Sequence, residues 1–175
     1  MNKNTESADF VAVIGAANID LTGTIKGQAV DGDSNPGEVT VSAGGVARNI
    51  AENLSHLGTR CELVTAIAND VWSVQLTEKC KSLNIGILNS FVAEAQCTST
   101  YLSVHDKQGE LITAINYMAV LDCLDVEVLA KRLARLSAAD AWVIDANISD
   151  DPLRFLFDNY ADMKIWVDPV SCIKA

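Results

Sequence analysis

Apolar positions recur along the chain in two rhythms. An unbroken run at residues 10–14 reads as a buried strand, and residues 61–65, 141–144 and 165–167 read as further strands. Wider spacings between them read as helices. Val46, Ile50, Leu54 and Leu57 lie on one helical face, Arg48, Glu52 and Ser55 fall off it, and Gly58 is placed to cap its end. Asp70 is an N-cap for a helix over 71–82. Val126, Leu129, Leu133 and Leu136 mark a helix beginning near Asp125, and Asp151-Pro152 opens another with proline at its first position. Two stretches break both rhythms. Residues 21–41 hold Gly23, Gly27, Gly32, Pro36 and Gly37 between short β-prone pieces, an exposed β excursion with turns. Residues 98–104 and 110–116 are β-rich and flank the turn Asp106-Lys107-Gln108-Gly109, which predicts a hairpin.

Strands alternating with helices imply an α/β fold, a mainly parallel sheet with helices on both faces. The two β excursions, near 21–41 and 98–116, are expected to pair as a separate small sheet. Residues 1–9 read as a polar N-terminal tail ahead of an α/β domain over 10–175. That domain stops just after a strand, so its sheet edge is open and the fold is expected to be partial.

Composition narrows the function. The 175 residues are 49% hydrophobic and 21% charged, which excludes intrinsic disorder. A net charge of −10 argues against nucleic-acid binding through phosphates and against a basic membrane-surface segment. It leaves a small-molecule enzyme open, because one backbone NH site can still hold an anion. Cys61, Cys80, Cys97, Cys123 and Cys172 form no CxxC pair and histidine is scarce, so neither a disulfide framework nor a zinc site is expected. Reduced thiols and the absence of a signal-like start point to the cytoplasm.

Four short motifs follow predicted strands or open helices. Asn18-Ile19-Asp20 sets an amide and a carboxylate one residue apart, on one side of an extended segment, suited to gripping neighbouring hydroxyls. Alone, the pair is ordinary Asx-turn chemistry. Gly44-Gly45 precedes a helix whose first NH groups can face a ligand, with Asn49 in reach. The dinucleotide fingerprint GxGxxG and the phosphate-loop pattern GxxxxGK[ST] are both absent. Asp145-Ala146-Asn147 and Asp168-Pro169 follow the later strands, where helix capping and a turn are the plain alternatives. All four converge on one edge of the same predicted sheet, where open α/β sheets bind ligands.

Asn18-Ile19-Asp20, with Gly44-Gly45-Val46-Ala47-Arg48-Asn49 and the run to Gly58, resembles the first signature of the ribokinase-like (PfkB) carbohydrate and nucleoside kinases. Residues 33–37, 98–103, 114–116, 147–149 and 167–171 resemble the pseudouridine-phosphorylating branch of that family. The resemblance runs from Phe10 onward. It implies an ATP-dependent kinase acting on a sugar or nucleoside, with Mg2+, and pseudouridine 5′-phosphorylation as the activity. By the resemblance, Asn18 and Asp20 hold the ribose hydroxyls, Gly44, Gly45 and Asn49 form the substrate-side signature, and Asn147 faces the sugar. Ribokinases carry Lys where Val46 stands, which counts against free ribose. The β excursions correspond to a lid that closes over the substrate and joins two copies, so a homodimer through the lid is expected.

One family motif is missing. Gly-Ala-Gly-Asp, whose Asp takes the proton from the attacking hydroxyl, occurs nowhere in the 175 residues. No catalytic residue is therefore assigned. The chain is expected to be the substrate-binding half of the kinase, inactive and without bound ATP on its own. Two alternatives stay open, a non-catalytic nucleoside- or sugar-binding module and a family kinase with another substrate. A nicotinamide-dependent oxidoreductase lacks its fingerprint.

Overall fold

The structure, a computed structural model, describes residues 10–171. The expected tail at 1–9 and Cys172 lie outside the described residues. Strand β1 (Val11–Ile14) runs into β2 (Asn18–Ile25), which turns back as β3 (Gly37–Gly44). Helix α1 (Val46–His56), strands β4 (Cys61–Val64) and β5 (Ala66–Ala68), and helix α2 (Val71–Ser82) follow. Next come β6 (Ile85–Gly86), β7 (Phe91–Ala93), and the hairpin of β8 (Thr100–His105) and β9 (Leu111–Tyr117). After a 3-10 turn at Ala119–Cys123, α3 (Val126–Leu136), β10 (Ala141–Asp145), α4 (Asp150–Asn159) and β11 (Ile165–Asp168) complete the order.

The body is a five-stranded parallel sheet in the order β11-β10-β1-β4-β6. Alternate residues of β1 enter opposite cores. Ala12 and Ile14 join Leu129, Leu133, Trp142 and Leu156 on the face covered by α3 and α4. Val13 joins Leu63, Ala47, Ala51, Leu76 and Cys80 on the face covered by α1 and α2. Burial on both faces explains why β1 and β10 are so apolar along their length. β11 is the open edge, with Trp166 and Val167 exposed.

Several helix signals work as the sequence predicts. The Asp70 side chain accepts from the Ser73 NH at 2.9 Å and closes a capping box on α2. Gly58, at φ 84°, ends α1 in a Schellman turn, with Gly58 NH on the Ser55 carbonyl and Thr59 NH on that of Leu54. Other signals shift. α4 starts at Asp150 behind Ser149, so Pro152 sits third in the helix rather than first, still where no intrahelical donor is needed. In α1 the buried positions are Ala47, Arg48 and Ala51, while Leu57 is 80% exposed. Ile50 and Leu54 pack on the core beside Ala47 and Ala51, so the contact face is centred nearer the alanines and leaves Leu57 outside it. The two alanines are short enough for the first turns to press against the loop between β1 and β2.

The second sheet has the order β3-β2-β8-β9. β2 pairs antiparallel with β3 and parallel with β8, and β8 pairs antiparallel with β9. The two β excursions therefore form one sheet. Its register sorts the side chains. Ile19, Leu21, Val39, Val41, Leu102, Val104 and Ile115 share one face, and Asn18, Asp20, Ser42, Tyr101 and Asn116 share the other. Strands β5 and β7 make a separate parallel pair, too short to leave a periodic signal.

Candidate functional site

The site gathers where β1, β10 and β3 end. Asn18 begins β2 instead of sitting in a loop, and it pairs with Gly44 at the last position of β3. Asn18 is buried, and its Nδ2 donates to Asp20 Oδ1 at 2.6 Å. The extended backbone places the two side chains on one side, and the amide pins the carboxylate. A Cβ at Gly44 would collide with that carboxylate, so only glycine leaves room for Asp20 there. Gly45, at φ 99°, is the N-cap of α1, and a Cβ on it would strike the backbone of Ala16 and Ala17. Each glycine is thus required by a different neighbour. Asn18, Asp20, Gly44 and Gly45 form one contiguous cradle.

Asp145, the last residue of β10, stitches this cradle to the body. It is fully buried. Its Oδ2 accepts from the NH of Ala16 and of Ala47, both at 2.8 Å. Its Oδ1 accepts from the NH of Asn147 at 2.8 Å, and the Asn147 side chain also bonds it. Burial pushes the Asp145 carboxyl above the ordinary aspartate range, and the hydrogen bonds from Ala16, Asn147 and Ala47 pull it back. Asn147 is thereby fixed beside the cradle through Asp145.

The N-terminus of α1 is less open than its sequence suggests. Ala47 NH is taken by Asp145 and Arg48 NH by the Ala16 carbonyl at 3.2 Å. These amides position the loop rather than face a ligand. Asn49 lies one turn on and is exposed. Its Oδ1 accepts from the Arg48 guanidinium, whose Nε donates to the Gly44 carbonyl at 3.1 Å. Arg48 is itself buried and pairs with Glu52, which Lys79 of α2 also reaches at 2.9 Å. The Lys79 hydrogen bond, ahead of the Arg48 contacts, holds the Glu52 carboxyl down at about 2. Asn49 therefore joins the cradle through Arg48 and not by direct contact.

Sequence reasoning missed three features here. A buried guanidinium leaves no periodic mark, because arginine is ordinarily a solvated face residue. Asp145 stood in a noted motif, but its partners lie 129 and 98 residues away. Ser42, Tyr101 and Asn116 lie level with Asp20 across the small sheet, a row that only the strand register reveals. Among the described residues no cluster of His, Cys, Asp and Glu could hold a metal ion.

Residues 8–164 match the model of the pfkB family carbohydrate kinases. The chain belongs to the PfkB family. It is 36% identical over 169 residues to a pseudouridine kinase of Escherichia coli K12, covering 95% of this chain and 54% of that protein. It is 30% identical over 139 residues to a guanosine-inosine kinase of Exiguobacterium acetylicum, covering 79% of this chain and 46% of that one. Among solved structures, a carbohydrate kinase from Agrobacterium tumefaciens superposes with a TM-score of 0.86 at 26% identity, over 95% of this chain and 55% of that one. The chain shares its α/β architecture with that carbohydrate kinase. The chain spans about half the length of the curated relatives it matches.

Proposed function

We propose that this chain is the substrate-binding half of an ATP-dependent PfkB kinase that phosphorylates pseudouridine on its 5′ hydroxyl. The observation that carries the reading is the Asn18–Asp20 pair, locked over a position that only glycine can fill. Asp20 offers carboxylate oxygens to two neighbouring ribose hydroxyls, and Asn18 supplies an amide beside them. Those are the acceptors that a vicinal diol requires, held on rigid strand backbone. The row of Ser42, Tyr101 and Asn116 lies level with Asp20 and gives the nucleobase a polar platform with one aromatic ring. Asn49 and Asn147 flank the sugar. The donor, by the chemistry of the family, is ATP with Mg2+, and no described side chain is assigned to either.

The same reading makes the small sheet a lid. Its polar face carries Asp20 toward the substrate. Its other face leaves Val39, Val41, Leu102 and Ile115 exposed. Packing of two such faces gives a two-fold homodimer, the commonest closed assembly. The described cysteines are all free, which supports a cytoplasmic setting.

Calorimetric titration with pseudouridine, uridine, adenosine and ribose tests the substrate. The expected order is pseudouridine tightest and free ribose weakest. Ribose binding as tightly as pseudouridine overturns the nucleoside reading in favour of a sugar kinase. A substrate-dependent release of ADP by the pure chain would show that it carries its own catalytic base.

A further inference from the structure

Asp145 is a buried carboxylate that the sugar chemistry above does not use. Burying a charge is costly unless it is paired or hydrogen-bonded. Among the described ion pairs none includes Asp145. Its partners are the backbone amides of three separate segments, with the Asn147 side chain beside them. Ala16 lies two residues before Asn18, in the loop from β1 to β2. Ala47 lies between Gly45 and Asn49, in the first turn of α1. Asn147 follows β10 directly. Each segment carries one or more of the residues placed around the substrate.

The arrangement also explains an irregular helix start. A helix N-terminus normally takes its cap from the side chain of the N-cap residue. In α1 that residue is Gly45 and supplies none. A side chain there would drive into Ala16 and Ala17, the approach to Asn18. The cap must therefore come from elsewhere, and Asp145 delivers it from the neighbouring strand. Gly15, at φ +148°, is bound to the same device, since a Cβ on it would overlap the Asp145 carboxylate.

We propose that Asp145 is the positioning residue of the site: one carboxylate bridges the β1–β2 loop, the start of α1 and the β10–α4 loop, and so sets Asn18, Asp20, Asn49 and Asn147 in register for their ligand. The ligand named in its test rests on the nucleoside reading given above; the bridging does not. Asp145→Asn keeps the volume but turns an NH2 group toward at least one backbone NH. Pseudouridine affinity is expected to fall about tenfold to a hundredfold, the scale of a displaced binding group. Leu133→Ala is the control, because Leu133 is fully buried on the α3 side of the sheet. It should lower the melting temperature while leaving the Kd within about twofold, a change too small to signal displacement of a binding group. A Kd change in Asp145→Asn no larger than in Leu133→Ala overturns the proposal.

Hydrogen exchange on the unmodified chain decides the matter even if Asp145→Asn does not fold. The amides of Ala16 and Ala47 should be as protected as that of Ile14 in the central strand, before any ligand is added. Exchange of both at loop rates overturns the proposal. If the unmodified chain binds none of the four ligands, the nucleoside reading falls, while the exchange pattern still upholds or overturns the bridging by Asp145.

Discussion

In the five-stranded sheet Val13, Ile14, Leu63, Val64 and Ile144 are at most 1% exposed, because helices lie on both faces. In the four-stranded sheet every residue of β9 is exposed, and β3 is exposed along most of its length. The two sheets have similar ladders but different sources of stability. The body is held by apolar burial, at roughly 25 cal/mol per Å² removed from water. The small sheet is held mainly by backbone pairing and by the two ends of β2, where Ile19 and Ile25 are buried. On the function proposed above, its lower stability leaves a polar face for ligand and an apolar face for a partner. That proposal separates stability and recognition in space, so substitutions should sort by sheet.

The largest effect should come from the body. Trp142 is fully buried, packs on Tyr160 with ring centroids 4.7 Å apart, and donates from Nε1 to the Leu136 carbonyl at 3.4 Å. Trp142→Ala should cost about 3–5 kcal/mol in urea unfolding. Ile115→Ala, on the exposed strand, should cost under about 0.5 kcal/mol in the monomer. Comparable losses at the two positions would break the contrast.

Asp20 sharpens it from the other side. Asp20→Ala removes the partner of Asn18 and, on the function proposed above, the acceptor of the ribose hydroxyls. Nucleoside binding should weaken by about 1–3 kcal/mol for each hydroxyl left unpaired. Unfolding should move by about 1–3 kcal/mol at most, the cost of leaving the buried Asn18 amide without its partner. A large stability loss with unchanged affinity would assign Asp20 to the fold and not to the ligand.

The contrast also explains what was legible beforehand. Every strand of the body beyond a few residues announced itself, because two-sided burial needs unbroken apolar runs such as Val11-Ala12-Val13-Ile14. Local caps were equally visible, since Asp70 and Ser73, or Gly58 and Leu54, are near neighbours in the chain. In α1, Ile50 and Leu54 pack on the core as read, but Leu57 does not, and Ala47 and Ala51 went unread because alanine carries little weight in a periodicity. Of the cradle, Asn18, Asp20, Gly44 and Gly45 were readable as a motif, but the reason for each glycine was not. That reason is a carboxylate or a backbone turn folded back from elsewhere. Asp145 and Arg48 act over distances that a linear pattern does not encode.

A smaller effect is expected where α1 meets α2. The Glu52 carboxyl is held at about 2 by Lys79 and then Arg48, against an unfolded value near 4.5. A depressed carboxyl stabilises the fold above the unfolded pKa and loses that contribution as pH falls toward the folded one. Stability should therefore decline between pH about 4.5 and about 2. Glu52→Gln should flatten this part of the profile and cost about 1–1.5 kcal/mol at pH 7, since Gln still accepts from Arg48. An unchanged acid limb would place the sensitivity elsewhere, on Asp70, whose carboxyl, despite burial, is held below its ordinary value by hydrogen bonds from Thr98 and Ser73.

The smallest stability effect, and the sharpest change in assembly, belongs to the outer face of the small sheet. Leu102 is 38% exposed and Ile115 62%, and the register sets them side by side. Thin sheets need something packed on their apolar face to persist. A second copy would supply it, since the same patch meets itself across a two-fold axis. Light scattering at micromolar concentration should give twice the 18.7 kDa chain mass. Added salt should favour that dimer by screening the net charge of −10 on each copy. The double substitution Leu102→Ser with Ile115→Ser should yield a monomer whose own unfolding midpoint is nearly unchanged, because surface exchanges of this kind move stability by about 0.5 kcal/mol or less. Unmodified chain that stays at 18.7 kDa in high salt would mean that this face is solvated in the native state. The small sheet would then rest on its ladder and on Ile19 and Ile25 alone, and the division of labour between the two sheets would be wider still.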